Sequence, residues 1–215
     1  MRRILLGLLV LLVPLALVGC GAPDDETARP VPARTLPPEQ PRELVDLPVG
    51  RADVRATEQV RARGSVLRVG RRAVQLAPLR ADELAVVDGG VFFRSGTELW
   101  FTDLDRARAT GYDVVSSLVA SPDGRRVAFV DLQHGPKDSG GTPLAIALAY
   151  DATSGQALVA SYAGMGDVLT DDLALRYAKN PPAITAFDGD DLIVHGTTGD
   201  YRVPLDGSAP EALSR

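Results

Sequence analysis

The chain reads as all-β: about four short antiparallel units, with one short helix, carried behind an export segment and a tether. Three observations predict this. Asp-Gly or Arg-Gly pairs recur ahead of short β-branched or aromatic runs, a further strand-like run follows each of them, and helix-boundary signals surround residues 171–179. Asp-Gly between apolar runs marks a hairpin because glycine takes positive φ without a Cβ clash.

In chain order, Arg2 and Arg3 precede an uncharged run from Ile4 to Val18 that closes on Leu17-Val18-Gly19-Cys20. A cationic start, an apolar core and small residues at the end make a signal peptide over 1–19. The run is shorter than the ~20 residues of a spanning helix and contains Pro14, which argues against a permanent transmembrane segment. Leu17 to Cys20 resembles the lipobox of bacterial lipoproteins. That resemblance implies acylation of the Cys20 thiol and cleavage that leaves Cys20 as the first mature residue. It therefore predicts a lipid-anchored protein on the extracytoplasmic face of the cell membrane. Several acyl chains anchor firmly where one binds only marginally. Cys20 is the single cysteine, so no disulfide within the chain can brace the mature domain.

Residues 20–47 form the expected tether. Pro30, Pro32, Pro37, Pro38 and Pro41 favour extended polyproline II, a semi-rigid spacer of ~3 Å per residue. Only Glu43 to Leu47 admit the alternative of an ordered arm along the domain. The remainder, 48–215, is long enough for one domain with its own core. The net charge is −5, and loss of Arg2 and Arg3 takes it to −7. An acidic surface without a basic patch disfavours nucleic acid and anionic headgroups as partners.

The first turn pair is Arg63-Gly64 before Ser65–Val69, followed by Ala73–Leu76. In the second unit Leu84–Val87 leads through Asp88-Gly89-Gly90 to Val91–Arg94, then Glu98–Thr102. Trp100 lies in that last strand between Leu99 and Phe101, as a core anchor rather than a stacking platform.

The third unit runs from Val115–Ala120 through Ser121-Pro122-Asp123-Gly124 into Arg126–Val130. Pro122 sets φ at the first corner of the turn and Gly124 supplies the permissive one. Val127 and Phe129 fall on one strand face, Ala128 and Val130 on the other, so both faces are apolar. Next, Leu144, Ile146, Leu148 and Tyr150 alternate with Ala145, Ala147 and Ala149. The same residues form helices well, but the following Asp151-Ala152-Thr153-Ser154-Gly155 turn favours a strand that continues into Ala157–Ala160. Ser121 to Val130 resembles the core of the WD40-like propeller repeat in TolB-type periplasmic proteins. Tyr150 to Gly155 is similar to the turn between the outer strands of such a repeat.

Before the fourth unit comes a Gly-rich insertion, Gln133–Gly141, and then a helix over Asp171–Lys179. Its expected features are Thr170 as N-cap, Asp171 and Asp172 in the first turn, and a stripe of Leu169, Leu173 and Tyr177. Ala183–Phe187, Asp188-Gly189, Asp191–Val194 and Asp200–Val203 complete the unit. The turn glycines 64, 89, 124 and 189 are 25, 35 and 65 residues apart, less regular than the ~40 to 50 of propeller blades. The expectation is therefore a small or incomplete β-propeller-like repeat, since four blades is the lower limit for a closed ring. An array left open would be finished by self-association.

No Gly-x-Ser-x-Gly, Ser-x-x-Lys, phosphate-loop or His-Glu-x-x-His pattern occurs, and no cofactor is implied. The imidazoles are His134 and His195. His134, Lys137 and Asp138, in the Gly-rich insertion, form the best candidate binding loop, because loops on a rigid β scaffold carry recognition; the competing reading is an unstructured hairpin tip. Asp188–Asp191 and Thr102–Asp105 offer carboxylates but lack the spacing of a calcium loop, so turns are expected there. Together these features predict a non-catalytic extracytoplasmic interaction module. Some propeller-bearing lipoproteins of high-GC bacteria accompany envelope or sensor-kinase assemblies, so the resemblance implies a protein partner in the envelope. Two alternatives stand: a propeller-type hydrolase or lactonase with a metal in a central cavity, and a passive structural protein of the envelope.

Overall fold

A computed structural model describes residues 44–214. The signal segment, Cys20 and the tether as far as residue 43 lie outside the described residues. Among the described residues, fourteen strands and one helix follow one another. The first sheet is β1 (Val60–Arg63), β2 (Val66–Val69) and β3 (Arg72–Gln75). Then come β4 (Glu83–Val87), β5 (Gly90–Ser95), β6 (Glu98–Thr102), β7 (Ala107–Ala120), β8 (Arg126–Asp131), β9 (Ile146–Asp151) and β10 (Ala157–Ser161). After α1 (Leu173–Lys179), β11 (Ala183–Asp188), β12 (Asp191–Gly196), β13 (Gly199–Pro204) and β14 (Glu211–Leu213) close the chain. Every pairing is antiparallel and every neighbour is consecutive, giving sheets of three, seven and four strands.

All four expected hairpins form, and Gly64, Gly89, Gly124 and Gly189 all take positive φ in their turns. Units two and three, however, share a strand. The first half of β7 pairs with β6 (Phe101 opposite Arg108) and its second half with β8 (Ala120 opposite Val127). Gly111, at φ +88°, and the register shifts beyond it accompany the change of partner. The run Ala107–Asp113 has little β-branched character, so its strand is not evident in sequence.

The sheets stack in series through three cores. Leu67, Val69 and Val74 meet Val91 and Phe93 in the first. Phe92, Leu99 and Phe101 meet Tyr112, Val127, Phe129, Leu148 and Tyr150 in the second. Ala128, Val130, Ala147 and Ala149 meet Ile184, Leu192, Val194 and Val203 in the third. Strand β8 divides as its alternation dictates, Val127 and Phe129 into one core and Ala128 and Val130 into the next. Strand β9 does the same, while Leu144 and Ala145, which precede it, both join the alanine side. Among the described residues no core cluster joins the first sheet to the last. Trp100 is half-buried, set against the first core on the face opposite Leu99 and Phe101, and its indole N–H donates to Glu98 at 3.2 Å. It is a rim residue of that core.

Strands β4 and β11 both lie against β7. The turns at their ends are tied together on one side of the stack. The Asp88 N–H donates to the Gly124 carbonyl at 2.9 Å, and Arg126 Nη1 donates to the Gly189 carbonyl at 2.9 Å. The turn before β8 is tight as well as left-handed: a Cβ on Gly124 would stand 2.4 Å from the Ala56 methyl.

Helix α1 begins two residues later than the sequence predicts. Asp172, not Thr170, is the N-cap and accepts from the Leu175 N–H at 3.0 Å. Asp171 instead pairs with Arg176, and Leu169 is 69% exposed, so Leu173 is the buried anchor and Tyr177 flanks it. A carboxylate closer to the free N–H groups wins the cap.

Among the described residues, Leu44 already packs against the second core, as the ordered-arm alternative for Glu43 to Leu47 expects. Leu47 is buried in the second core, and its N–H donates to the Gly155 carbonyl at 2.8 Å. Val45 is held by the Tyr112 hydroxyl, which takes the Val45 N–H at 2.8 Å and donates to its carbonyl at 2.9 Å. The Tyr150 hydroxyl lies 2.5 Å from that of Tyr112 and 3.3 Å from the Val45 carbonyl, so both hydroxyls reach the same acceptor. Residues 44–47 are thus an arm on the domain.

Candidate binding cleft

The repeated turns bring ionisable side chains from distant segments to one side of the third and fourth units. A cleft of about 470 Å³ there is lined by Asp123, Arg125 and Arg126 after β7, Asp151 at the end of β9, Leu158 on β10, Asp190 and Asp191 at the β11–β12 turn, and Pro204–Asp206 after β13. Three of these carboxylates serve turns that need a short acceptor for their own N–H groups. Asp123 accepts the Ser121 hydroxyl at 2.5 Å and the Arg125 N–H at 3.1 Å. Asp151 accepts the N–H groups of Thr153 (2.7 Å) and Ser154 (3.0 Å). Asp206 accepts the Ser208 N–H at 2.9 Å.

These bonds set the charge of the cleft. The Ser121 hydroxyl, then the Arg125 N–H, hold Asp123 below the ordinary carboxylate value, and Ser208 does the same for Asp206. Burial alone would raise Asp151, but the bonds from Thr153 and Ser154 outweigh it and hold it low. Arg126 bonds Asp190 at 2.8 Å and spans the cleft to Gly189. With five carboxylates against two guanidiniums in the lining, the cleft favours cations.

A second space, a groove of about 640 Å³ between β10 and the last sheet, has a predominantly apolar lining with Val159, Ala160, Tyr162, Tyr201, Val203 and Pro210. Leu158 lines both spaces and is 37% exposed. It stands at a β-bulge between Ala157 and Val159, a device that re-aims a side chain.

The candidate binding loop lies elsewhere and is tied down by its own side chains. Asp131, fully buried, accepts the N–H groups of Gln133 (3.1 Å) and His134 (2.9 Å) and contacts His134 Nδ1 at 3.0 Å. The His134 ring lies 4.9 Å from that of Tyr112. Asp138 accepts from the Thr142 N–H at 2.8 Å and the Leu173 N–H at 3.0 Å, which joins the insertion to the start of α1 and holds this carboxyl low. Lys137 is exposed and bridges to Pro143 through its backbone. The three side chains diverge, and none lines the cleft.

The chain matches no protein-family model and no curated protein. Its own residues therefore carry the functional reading. His195 faces Asp200 through Nδ1 (2.5 Å) and Asn180 through Nε2 (3.0 Å), and the Asn180 amide is oriented by the Gly196 and Thr197 carbonyls. This cluster joins the end of α1 to the β12–β13 hairpin. Of the carboxylates weighed for calcium, Asp188 and Asp191 pair with Arg202, Asp190 with Arg126 and Asp103 with Arg108. Among the described residues no group of three or more His, Cys, Asp and Glu is arranged to hold a metal.

Sequence reasoning missed the cleft because its lining comes from five separate segments. The available signal was the repetition itself. Turns that end equivalent strands fall on one side of a stack, so Asp123, Asp151, Asp190 and Asp206 had reason to converge.

Proposed function

We propose that the protein is a membrane-anchored extracytoplasmic lipoprotein whose β domain, an open propeller-like array, works as a non-catalytic interaction module for a protein partner in the envelope. The observation that carries this reading is the composite cleft. Asp123, Asp151 and Asp206 in its lining are fixed by bonds within their own turns, Asp190 and Asp191 by Arg126 and Arg202, and the buried strand pair β8–β9 ends at it in Arg126 and Asp151. Such a surface is pre-organised for recognition, and pre-organisation lowers the ordering cost of binding. The propeller-like part is supported by consecutive antiparallel meanders stacked in series, with β4 and β11 beside β7 and the turns linked on one side. The membrane part rests on Leu17-Val18-Gly19-Cys20 and the signal-like run before it.

The test is site-directed photo-crosslinking in the intact envelope. A photoreactive residue at Arg125, on the cleft rim, should trap a reproducible protein adduct, whereas one at Glu98, exposed on β6 and outside the cleft lining, should not. Equal capture at both positions, or none at either, would remove the interaction reading.

A further inference from the structure

Strand β10 differs from the other sheet margins. In the described residues it ends the seven-stranded sheet, bonded to β9 on one side and without a backbone partner on the other. Proteins protect such margins with charge, proline or cover, because unpaired N–H and C=O groups template another strand. The margins of the first sheet carry arginines, Arg61 and Arg63 on β1 and Arg72 on β3, and β14 carries Glu211. Strands β4 and β11 are covered by β7. Ala157-Leu158-Val159-Ala160-Ser161 has neither charge nor proline, and its free side opens onto the apolar groove.

We infer that this margin receives an extended, basic polypeptide segment of the partner by strand addition. The segment's backbone pairs with β10 beyond the bulge, alternate small or apolar side chains enter the groove against Val203 and Tyr201, and a lysine or arginine at the Leu158 end reaches the carboxylates of the cleft. Strand addition takes its affinity from main-chain bonds and its specificity from side-chain pockets. Charge complementarity selects the occupant. Groove and cleft share Leu158 in their linings, and in the cleft Asp190 is paired with Arg126 and Asp191 with Arg202, so Asp123, Asp151 and Asp206, bonded by hydroxyl and N–H groups, outnumber the remaining Arg125. A second copy of the acidic chain, net −5, complements that end poorly.

This inference rests on the interaction reading and names the partner's chemistry. Its test uses the purified full chain and three fluorescent peptides: alternating Val-Ala ending in Lys-Arg-Lys, the same ending in Glu-Asp-Glu, and the basic peptide N-methylated at alternate residues. The basic peptide should bind, and both others at least ten-fold more weakly, since N-methylation removes donors while keeping the charge. Raising the salt and the variant Asp190→Asn with Asp206→Asn should each weaken binding several-fold. Val159→Lys should abolish it with an unchanged far-ultraviolet circular dichroism spectrum; if that variant unfolds, the N-methylated peptide decides. Equal binding of the basic and N-methylated peptides would overturn strand addition. Equal binding of the acidic peptide would overturn the charge argument, and a peptide-independent dimer lost in Val159→Lys would assign the margin to a second copy. Specific crosslinking from Arg125 without peptide binding would sink this inference while leaving the interaction module standing.

Discussion

Arg126 Nη1 lies 2.9 Å from the Gly189 carbonyl, and Nη2 lies 2.8 Å from Asp190 Oδ1, so one guanidinium joins the turn before β8 to the turn before β12. The arginine is part-exposed and Asp190 almost fully so, which leaves the bond to the carbonyl as the firmer of the two. Arg126→Ala should lower stability by about 1 kcal/mol. Urea denaturation should show a lower midpoint at unchanged slope, because the surface exposed on unfolding stays the same.

Gly124 and Gly189 separate two causes of strain. Both take positive φ, but a Cβ at Gly124 would meet Ala56, whereas at Gly189 nothing lies within 4 Å. Gly189→Ala should cost about 1 kcal/mol from backbone conformation alone. Gly124→Ala should cost about 2 kcal/mol more, because Ala56 and the turn must move apart. Thermal or urea unfolding of the two variants checks the order, and equal costs would contradict the close approach.

The tyrosine pair predicts both a mutational order and an alkaline limit. Tyr150→Phe removes one donor and should cost about 1 kcal/mol, whereas Tyr112→Phe also takes the acceptor from the Val45 N–H, the Val45 carbonyl keeping the Tyr150 hydroxyl at 3.3 Å, and should cost about 2 kcal/mol. Burial, with the hydroxyl of Tyr112, pushes Tyr150 upward; burial also raises Tyr112 and takes Tyr177 up to about 12. A folded value above the ordinary 10.0 stabilises the native state fully below pH 10. Stability should thus hold to about pH 10 and fall beyond it, with the 295 nm absorbance of buried tyrosinate rising together with unfolding.

The acid side has the opposite sign. Asp123, Asp138, Asp151 and Asp206 are held below the ordinary 3.8, so each favours the fold above that value and ceases to do so as pH falls through its lowered folded value. Stability measured by urea titration should stay level from neutrality to about pH 4 and drop below it. Asp151→Asn should flatten part of that drop, and an unchanged acid profile would refute the role given to its bonds.

The anchor is tested by Cys20→Ser. The wild-type chain should fractionate with membranes and incorporate labelled fatty acid, and the variant should do neither. A variant that stays in the membrane would mean that the apolar segment itself is retained.

Much of the β architecture could be read from the chain because turn chemistry is local: Asp88-Gly89, Asp123-Gly124 and Asp188-Gly189 each declare a hairpin through conformations that few residues adopt. The alternation in β8 and β9 was equally legible, since both faces are covered and Val127–Val130 and Ile146–Tyr150 are all apolar or aromatic. What eluded the sequence was non-local. The first half of β7 is a strand because β6 offers it a ladder, not because Ala107–Asp113 favours one. The Thr170 cap lost to Asp172 through a choice of register that only tertiary packing of Leu173 decides. His134 stood out by residue type, yet its surroundings, Asp131 and Tyr112, show a side chain used to brace its own loop.

Because β7 belongs to two meanders at once, β4 to β10 have no seam at which the chain could be divided. A break near residue 113 would deprive both halves of a ladder, so amide protons from Glu83 to Ser161 should exchange as one block. The leading sheet, β1–β3, shares no ladder with that block and is the piece that evolution or an experimenter could exchange with the least disturbance.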